Sequence, residues 1–157
     1  MKIRKAGKKD FKEIAEILIK ESSKKPYNEK YDTRRALKEI KNLSKKELYV
    51  SENGKEIVGF IASYITLDDR KEAYISELWL KSKYQKRGIG KELMNYIERK
   101  YKKKGVEKIR LVTKRKAGAF KFYKKLKYKE RKKFVFMEKK LKWKYYSYVN
   151  TIGSEVR

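Results

Sequence analysis

The stretch Tyr84–Leu93, YQKRGIGKEL, decides how the rest of the chain is read. Gly88-Ile89-Gly90 follows two basic residues and opens a run in which Leu93, Met94, Ile97 and Tyr101 recur at helical spacing. Upstream, AYISELWL is rich in β-branched and aromatic residues and reads as a strand. The glycines therefore lie in a strand–turn–helix. Two readings are open: a tight turn that starts a helix, or an anion cradle. The first N–H groups of a helix lack internal partners, and the helix dipole adds partial positive charge there. Two better-known phosphate loops do not fit. Lys91 is followed by Glu92, where a Walker loop needs Ser or Thr. Leu93 stands where a dinucleotide fingerprint needs its third glycine.

Nearer the N-terminus, Lys2–Lys5 reads as a short first strand, and Asp10 as the cap of a helix carrying Phe11, Ile14, Ala15, Ile17 and Leu18. A polar loop surrounds Pro26, the only proline. Thr33 opens a second helix with Ala36, Leu37 and Ile40. Asn53-Gly54 between two strand-like runs signals a hairpin, and the strand after it runs from Lys55 to about Leu67. Residues 67–72, LDDRKE, make the next turn. Beyond the helix that Gly105 stops, VEKIRLVT is a strand, Ala117–Leu126 a helix with Ala119, Phe120, Tyr123 and Leu126 as its apolar side, and KFVFMEKKL a final strand. The order predicts a mixed α/β (α+β) fold: a mostly antiparallel sheet of six to seven strands with about four helices.

Composition narrows the chemistry. The 157 residues are the size of one domain and contain neither Cys nor His. Disulfides and thiolate metal sites are excluded, and acid–base work falls to Glu, Asp, Tyr, Lys or water. There is no run of 18 apolar residues and no apolar signal core at the start, so a cytoplasmic protein without a membrane span is expected. Forty-seven Lys and Arg against 20 Asp and Glu give a net charge of +27, which attracts polyanions: a phosphorylated cofactor, acidic protein, or nucleic acid such as ribosomal RNA. The Lys- and Glu-rich, Cys-free composition is also thermophile-like.

These residues resemble a family. YQKRGIGKEL is similar to the pyrophosphate-binding motif [QR]-x-x-G-x-[GA] of GNAT-type N-acetyltransferases, with Gln85, Gly88 and Gly90 in its fixed positions. ISELWLKSKYQKRGIGKELMNYIERKYKKKG resembles the family's fourth strand, loop and third helix. IRLVTKRKAGAFKFYKKLKYKE resembles its fifth strand and fourth helix. In element order the likeness covers residues 1–141, leaving 142–157 as an aromatic C-terminal extension expected to pack on the domain or on a dimer partner.

The resemblance implies a GNAT fold and transfer of the acetyl group of acetyl-CoA to an amine by direct attack, without a covalent enzyme intermediate. It implies that Leu78, Trp79 and Leu80 pair through their backbone with the pantetheine, and that Lys86, Arg87, Gly88, Ile89, Gly90 and Lys91 hold the pyrophosphate. Tyr123 in FKFYKKL corresponds to the family tyrosine that protonates the leaving thiolate. Glu77 is the candidate general base, with a water relay as its rival; base positions used elsewhere in the family fall on Leu111, which cannot serve, and Tyr74. Lys116 replaces a cofactor-contacting Asn, and Lys127-Tyr128 a Gly-Phe. The acceptor is read as a protein amino group, N-terminal or lysine. The alternatives are a small amine of polyamine or aminoglycoside type, or a basic nucleic-acid-binding module on the same fold.

Overall fold

The computed structural model describes residues 1–66, 71–133, 135 and 137–139. Its elements run β1 (Lys2–Lys5), α1 (Phe11–Ser22), α2 (Thr33–Leu43), β2 (Glu47–Asn53), β3 (Glu56–Ile65), β4 (Glu72–Leu80), α3 (Ile89–Lys103), β5 (Lys108–Leu111) and α4 (Gly118–Lys125). The sheet order follows the chain order. The first four strands pair antiparallel; β5 joins β4 in parallel.

The sheet separates two apolar cores. On one face α1 and α2 bury Ile14, Ile17, Leu18, Ala36 and Ile40 against Leu48, Val50, Phe60 and Ala62. On the other, α3 buries Leu93, Met94, Ile97 and Tyr101 against Val58, Ile61, Ala73 and Ile75. Burying such side chains is worth about 1.5–3 kcal/mol each, so these two stripes fix which way every helix faces. Among the described residues, no helix is long and apolar enough to cross a membrane.

Several local expectations are corrected. Asp10 does not cap α1 through its side chain. Its carboxylate accepts from the backbone N–H of Gly7 at 2.7 Å and pairs with Arg4, closing a short 3-10 turn at Lys8–Asp10 instead. Asp32 does the ordinary capping, accepting from the N–H of Arg35 at the start of α2. In the β2–β3 hairpin Asn53 pairs with Glu56, so the turn residues are Gly54 and Lys55, with only Gly54 at positive φ (+61°). On α4, Phe122 rather than Phe120 joins Ala119, Tyr123 and Leu126 against the core. Five strands are found among the described residues, against six to seven expected. The expected final strand over 133–141 includes residues 134, 136, 140 and 141, and these lie outside the described residues, as do the turn residues 67–70 and the 142–157 extension.

An irregularity in β4 decides which of its side chains share a face. Ala62 pairs with Glu77 but Ser63 pairs with Ile75, so Ser76 is an extra residue in the strand. This bulge shifts the alternation. Ala73, Ile75, Leu78 and Leu80 all face α3 and α4, while Trp79 packs into the α1–α2 core. Glu77, opposite Ala62, shares the Trp79 face.

Candidate active site

The parallel β4–β5 ladder ends at Ile75–Leu111. Beyond it the two strands part, and among the described residues the Ser76–Leu80 edge of β4 on that side has no strand partner. A cleft opens there, lined by Ser76, Glu77, Leu78 and Trp79 from β4, Leu111, Val112 and Thr113 from β5 and its end, Tyr123 from α4 and Tyr27 from the α1–α2 loop. Backbone N–H and C=O groups of an unpaired edge are free to bind an extended chain, as a neighbouring strand would.

Glu77 sits where the cleft meets the α1–α2 face. The indole N–H of Trp79 donates to its carboxylate. Burial pushes the Glu77 pKa up to about 7, the Trp79 bond opposes this, and the negative charges of Glu29 and Glu39 add to it. A carboxylate so placed can take up a proton near neutral pH. Tyr123 enters from α4, on the opposite face, and is nearly buried. Burial first, then the neighbouring charges of Tyr27 and Glu77, raise its pKa, so it keeps its proton and can donate it. Tyr74 is likewise raised by burial and packs against Tyr64, which removes it as a base at neutral pH; Leu111 belongs to the α3–α4 core.

The Gly88-Ile89-Gly90 turn stands at the mouth of α3. Lys86 (φ +60°) and Gly88 (φ +86°) take left-handed conformations on either side of Arg87. Such alternation turns successive N–H groups to one side, as an anion-binding nest. A Cβ on Gly88 would meet nothing within 4 Å, but its φ of +86° is one that L side chains rarely adopt, whereas a Cβ on Gly90 would meet Phe122 and Leu80 at 3.3–3.4 Å. Gly88 thus permits the left-handed turn and Gly90 lets α3 close onto α4 and β4. Among the described residues Lys86, Arg87 and Lys91 have no carboxylate partner. Gln85 instead donates its side-chain amide to the carbonyl of Leu80, tying the turn to the end of β4. Lys116 is exposed just before α4 and does not line the cleft.

A family model for the GNAT acetyltransferases matches residues 11–128. The chain belongs to the GNAT acetyltransferase family. It is an acyltransferase, and acetyl-CoA is its acetyl donor. No curated protein sequence matches it. Among solved structures it is similar to a possible acetyltransferase from Clostridium difficile 630 (19% identity, 90% of this chain and 98% of that one covered, TM-score 0.77). It is also similar to a PaiA N-acetyltransferase from Thermoplasma acidophilum in complex with coenzyme A (27%, 80% and 87%, TM-score 0.65). A third is an aminoglycoside acetyltransferase from an uncultured soil metagenomic sample in complex with sisomicin (22%, 90% and 96%, TM-score 0.69). The first and third likenesses show the fold alone. For this GNAT chain the open nest, the unpaired cations and the free β4 edge fit a long donor with a diphosphate at one end and amide groups along its arm.

Residues that no sequence motif marks support these groups. The Glu21 carboxylate, on α1 and almost fully buried, accepts from the N–H (3.0 Å) and hydroxyl (2.7 Å) of Ser82 and from Lys24 (2.6 Å). Burial opposes its charge, but these bonds together hold its pKa below the ordinary carboxylate range. Glu56, on β3, takes Lys81, Lys83 and the Tyr84 hydroxyl, and the Tyr84 bond leads these three in lowering its pKa to about 2. Glu13 adds a second bond to Lys81. Across the cleft, Lys114 donates to the carbonyls of Pro26 (3.1 Å) and Tyr27 (2.9 Å). Sequence reasoning missed all of these, because apart from Lys24 the partners lie 25 to 88 residues apart.

Proposed function

We propose that this enzyme acetylates a protein amino group, N-terminal or lysine, with Glu77 as general base and Tyr123 as general acid. The observation that carries the reading is the meeting of these two groups in one cleft from opposite faces of the sheet, one able to accept a proton near pH 7 and the other keeping its own. Bound acetyl-CoA supplies the activated thioester. The Leu78–Leu80 backbone pairs with its pantetheine arm and orients the carbonyl, where strand amides stabilise negative charge on oxygen. Lys86–Lys91 hold the pyrophosphate, with Lys116 and the Lys121, Lys124 and Lys125 side chains of α4 drawing in the anion from a distance.

Glu77 takes one proton from the incoming ammonium and passes it to solvent. The freed nitrogen bonds the acetyl carbon as the carbon–sulfur bond breaks. Tyr123 gives its proton to the sulfur, and the surplus proton on nitrogen restores Tyr123. The balance is an amide, a thiol and one released proton. Direct attack suits a chain without Cys or His.

A thermal-shift titration with CoA tests the cofactor half. The expected result is stabilisation of about 2.7 kcal/mol at a hundredfold excess over Kd. It should vanish in Gly88→Val, whose β-branched side chain strains the left-handed turn that forms the cradle. A wild-type protein that shows no shift, yet binds RNA with steep salt dependence, would sink the enzyme reading and favour a nucleic-acid module.

A further inference from the structure

The segment between α1 and α2, residues 23–32, is a strap across the cleft. It is locally folded: the N–H groups of Tyr27 and Asn28 both reach the carbonyl of Lys24, and that of Glu29 reaches Ser22. Tyr27 fastens it to both diverging strands. Its ring packs edge-on against Trp79 of β4, with centroids 5.0 Å apart at 71°. Beyond β5, Lys114 clips the Pro26 and Tyr27 carbonyls and stands 5.6 Å from the centroid of the Tyr27 ring. Under the strap, the buried Thr113 hydroxyl stands beside the Tyr27 phenol. The whole cleft encloses only about 80 Å³.

We infer that this strap makes the acceptor entrance a slot for an unbranched primary alkylammonium, such as the end of a lysine side chain or of a linear polyamine. The inference rests on the acetyl-transfer reading and specifies its acceptor. A cationic head reaching Glu77 passes Tyr27 and Trp79, and the face of such a ring attracts a cation. Methylenes behind the head lie along the same rings. The Thr113 hydroxyl, with two acceptor lone pairs, can accept one ammonium N–H. An amine on a ring carbon, or the α-amine of a chain N-terminus, brings branches to within one bond of the nitrogen. Those branches need the volume that Tyr27 occupies. Among the protein amino groups of the broader reading, the slot selects lysine.

The test compares kcat/KM by thiol release for four acceptors at fixed acetyl-CoA. These are a lysine peptide with a blocked N-terminus, a lysine-free peptide with a free N-terminus, spermidine, and 2-deoxystreptamine, whose amines both sit on ring carbons. The expected result is that the lysine peptide, spermidine or both exceed the two branched amines by roughly 10–200-fold, the range that steric fit in a pocket provides. The first and third arms tell a protein source from a small-molecule one. Tyr27→Ala should shrink that ratio to about threefold or less, by raising turnover of the branched amines. Lys114→Met, an exposed change that only unclips the strap, should move it the same way and serves if Tyr27→Ala does not fold. Wild-type preference for a branched amine, no turnover of any linear amine, or an unchanged ratio in the folded variants would each overturn the slot. The broader reading fails separately, by absence of a CoA thermal shift and of acetyl transfer to every amine.

Discussion

The two sides of the cleft are held in contrasting ways. The Lys81–Tyr84 segment that leads into the glycine turn is clamped by three carboxylates, Glu13 and Glu21 from α1 and Glu56 from β3. The strap on the other side is held by Lys114 on two of its carbonyls, by the edge contact of Tyr27 with Trp79, by Tyr31 packed against the α1–α2 core, and at its start by Lys24, which bonds Glu21 and Ser82. Charge-assisted bonds converging on partly buried carboxylates fix a loop before any ligand arrives. Where it crosses the cleft, the strap rests on the Lys114 clip and the Tyr27 ring edge, without the converging carboxylates of the other side. The difference divides the labour: the side proposed to hold the invariant donor is preorganised, and the side proposed to meet the acceptor can yield.

The largest expected effect lies between the two regions. Glu77→Gln should lower kcat by roughly 10²–10⁴-fold and remove the rise of rate with pH centred near 7. The same change should stabilise the fold above pH 7. A carboxyl whose folded pKa is raised from 4.5 to about 7 favours folding fully below pH 4.5, and that advantage is lost as pH climbs through 7. The amide carries no such penalty, so the gain approaches about 3 kcal/mol at pH 8 as an upper bound. Denaturant melts at pH 4 and 8 read it directly; equal differences from wild type at both would overturn the assignment. Next in size, Tyr123→Phe should cost roughly 10²-fold in kcat with KM for acetyl-CoA little changed. Full turnover in this variant would remove the general-acid role.

Much of this arrangement is legible from residue spacing. The α3 stripe Leu93, Met94, Ile97 and Tyr101 is buried as its period requires, and the glycines of YQKRGIGKEL lie at the strand–helix junction they mark. What local patterns do not carry is parity and long-range pairing. AYISELWL alternates without a break, so Ile75, Glu77 and Trp79 look like one face; the bulge at Ser76 separates Ile75 from the other two. Tyr27 sits in a polar loop with nothing to announce Trp79 as its neighbour. Asp10 has the residue type of a cap, but Arg4 and Gly7 outcompete the helix for its oxygens. In each case a tertiary partner overrides a local preference.

The smallest expected effect falls on the clamped side of the cleft. Glu21→Gln keeps the shape but loses the charge that holds Ser82 and Lys24. It should raise KM for acetyl-CoA by roughly 3–10-fold at nearly constant kcat, and lower stability by about 1–3 kcal/mol. A variant that melts lower but keeps the wild-type KM would reduce Glu21 to a purely structural part, and the clamp would then matter to the fold and not to the donor.

The unpaired edge of β4 is also a hazard. Bare strand edges recruit other chains, and proteins ordinarily blunt them with charge, proline or a covering element. Here the exposed hydrogen-bonding groups lie inside a notch, with β5 and α4 on one flank and the strap over the top. A foreign strand would have to displace the roof to dock, whereas a thin flexible arm can thread beneath it. The enclosure around the proposed site also guards against mispairing, and it leaves the sheet's free edge open to a molecule as thin as the proposed donor arm.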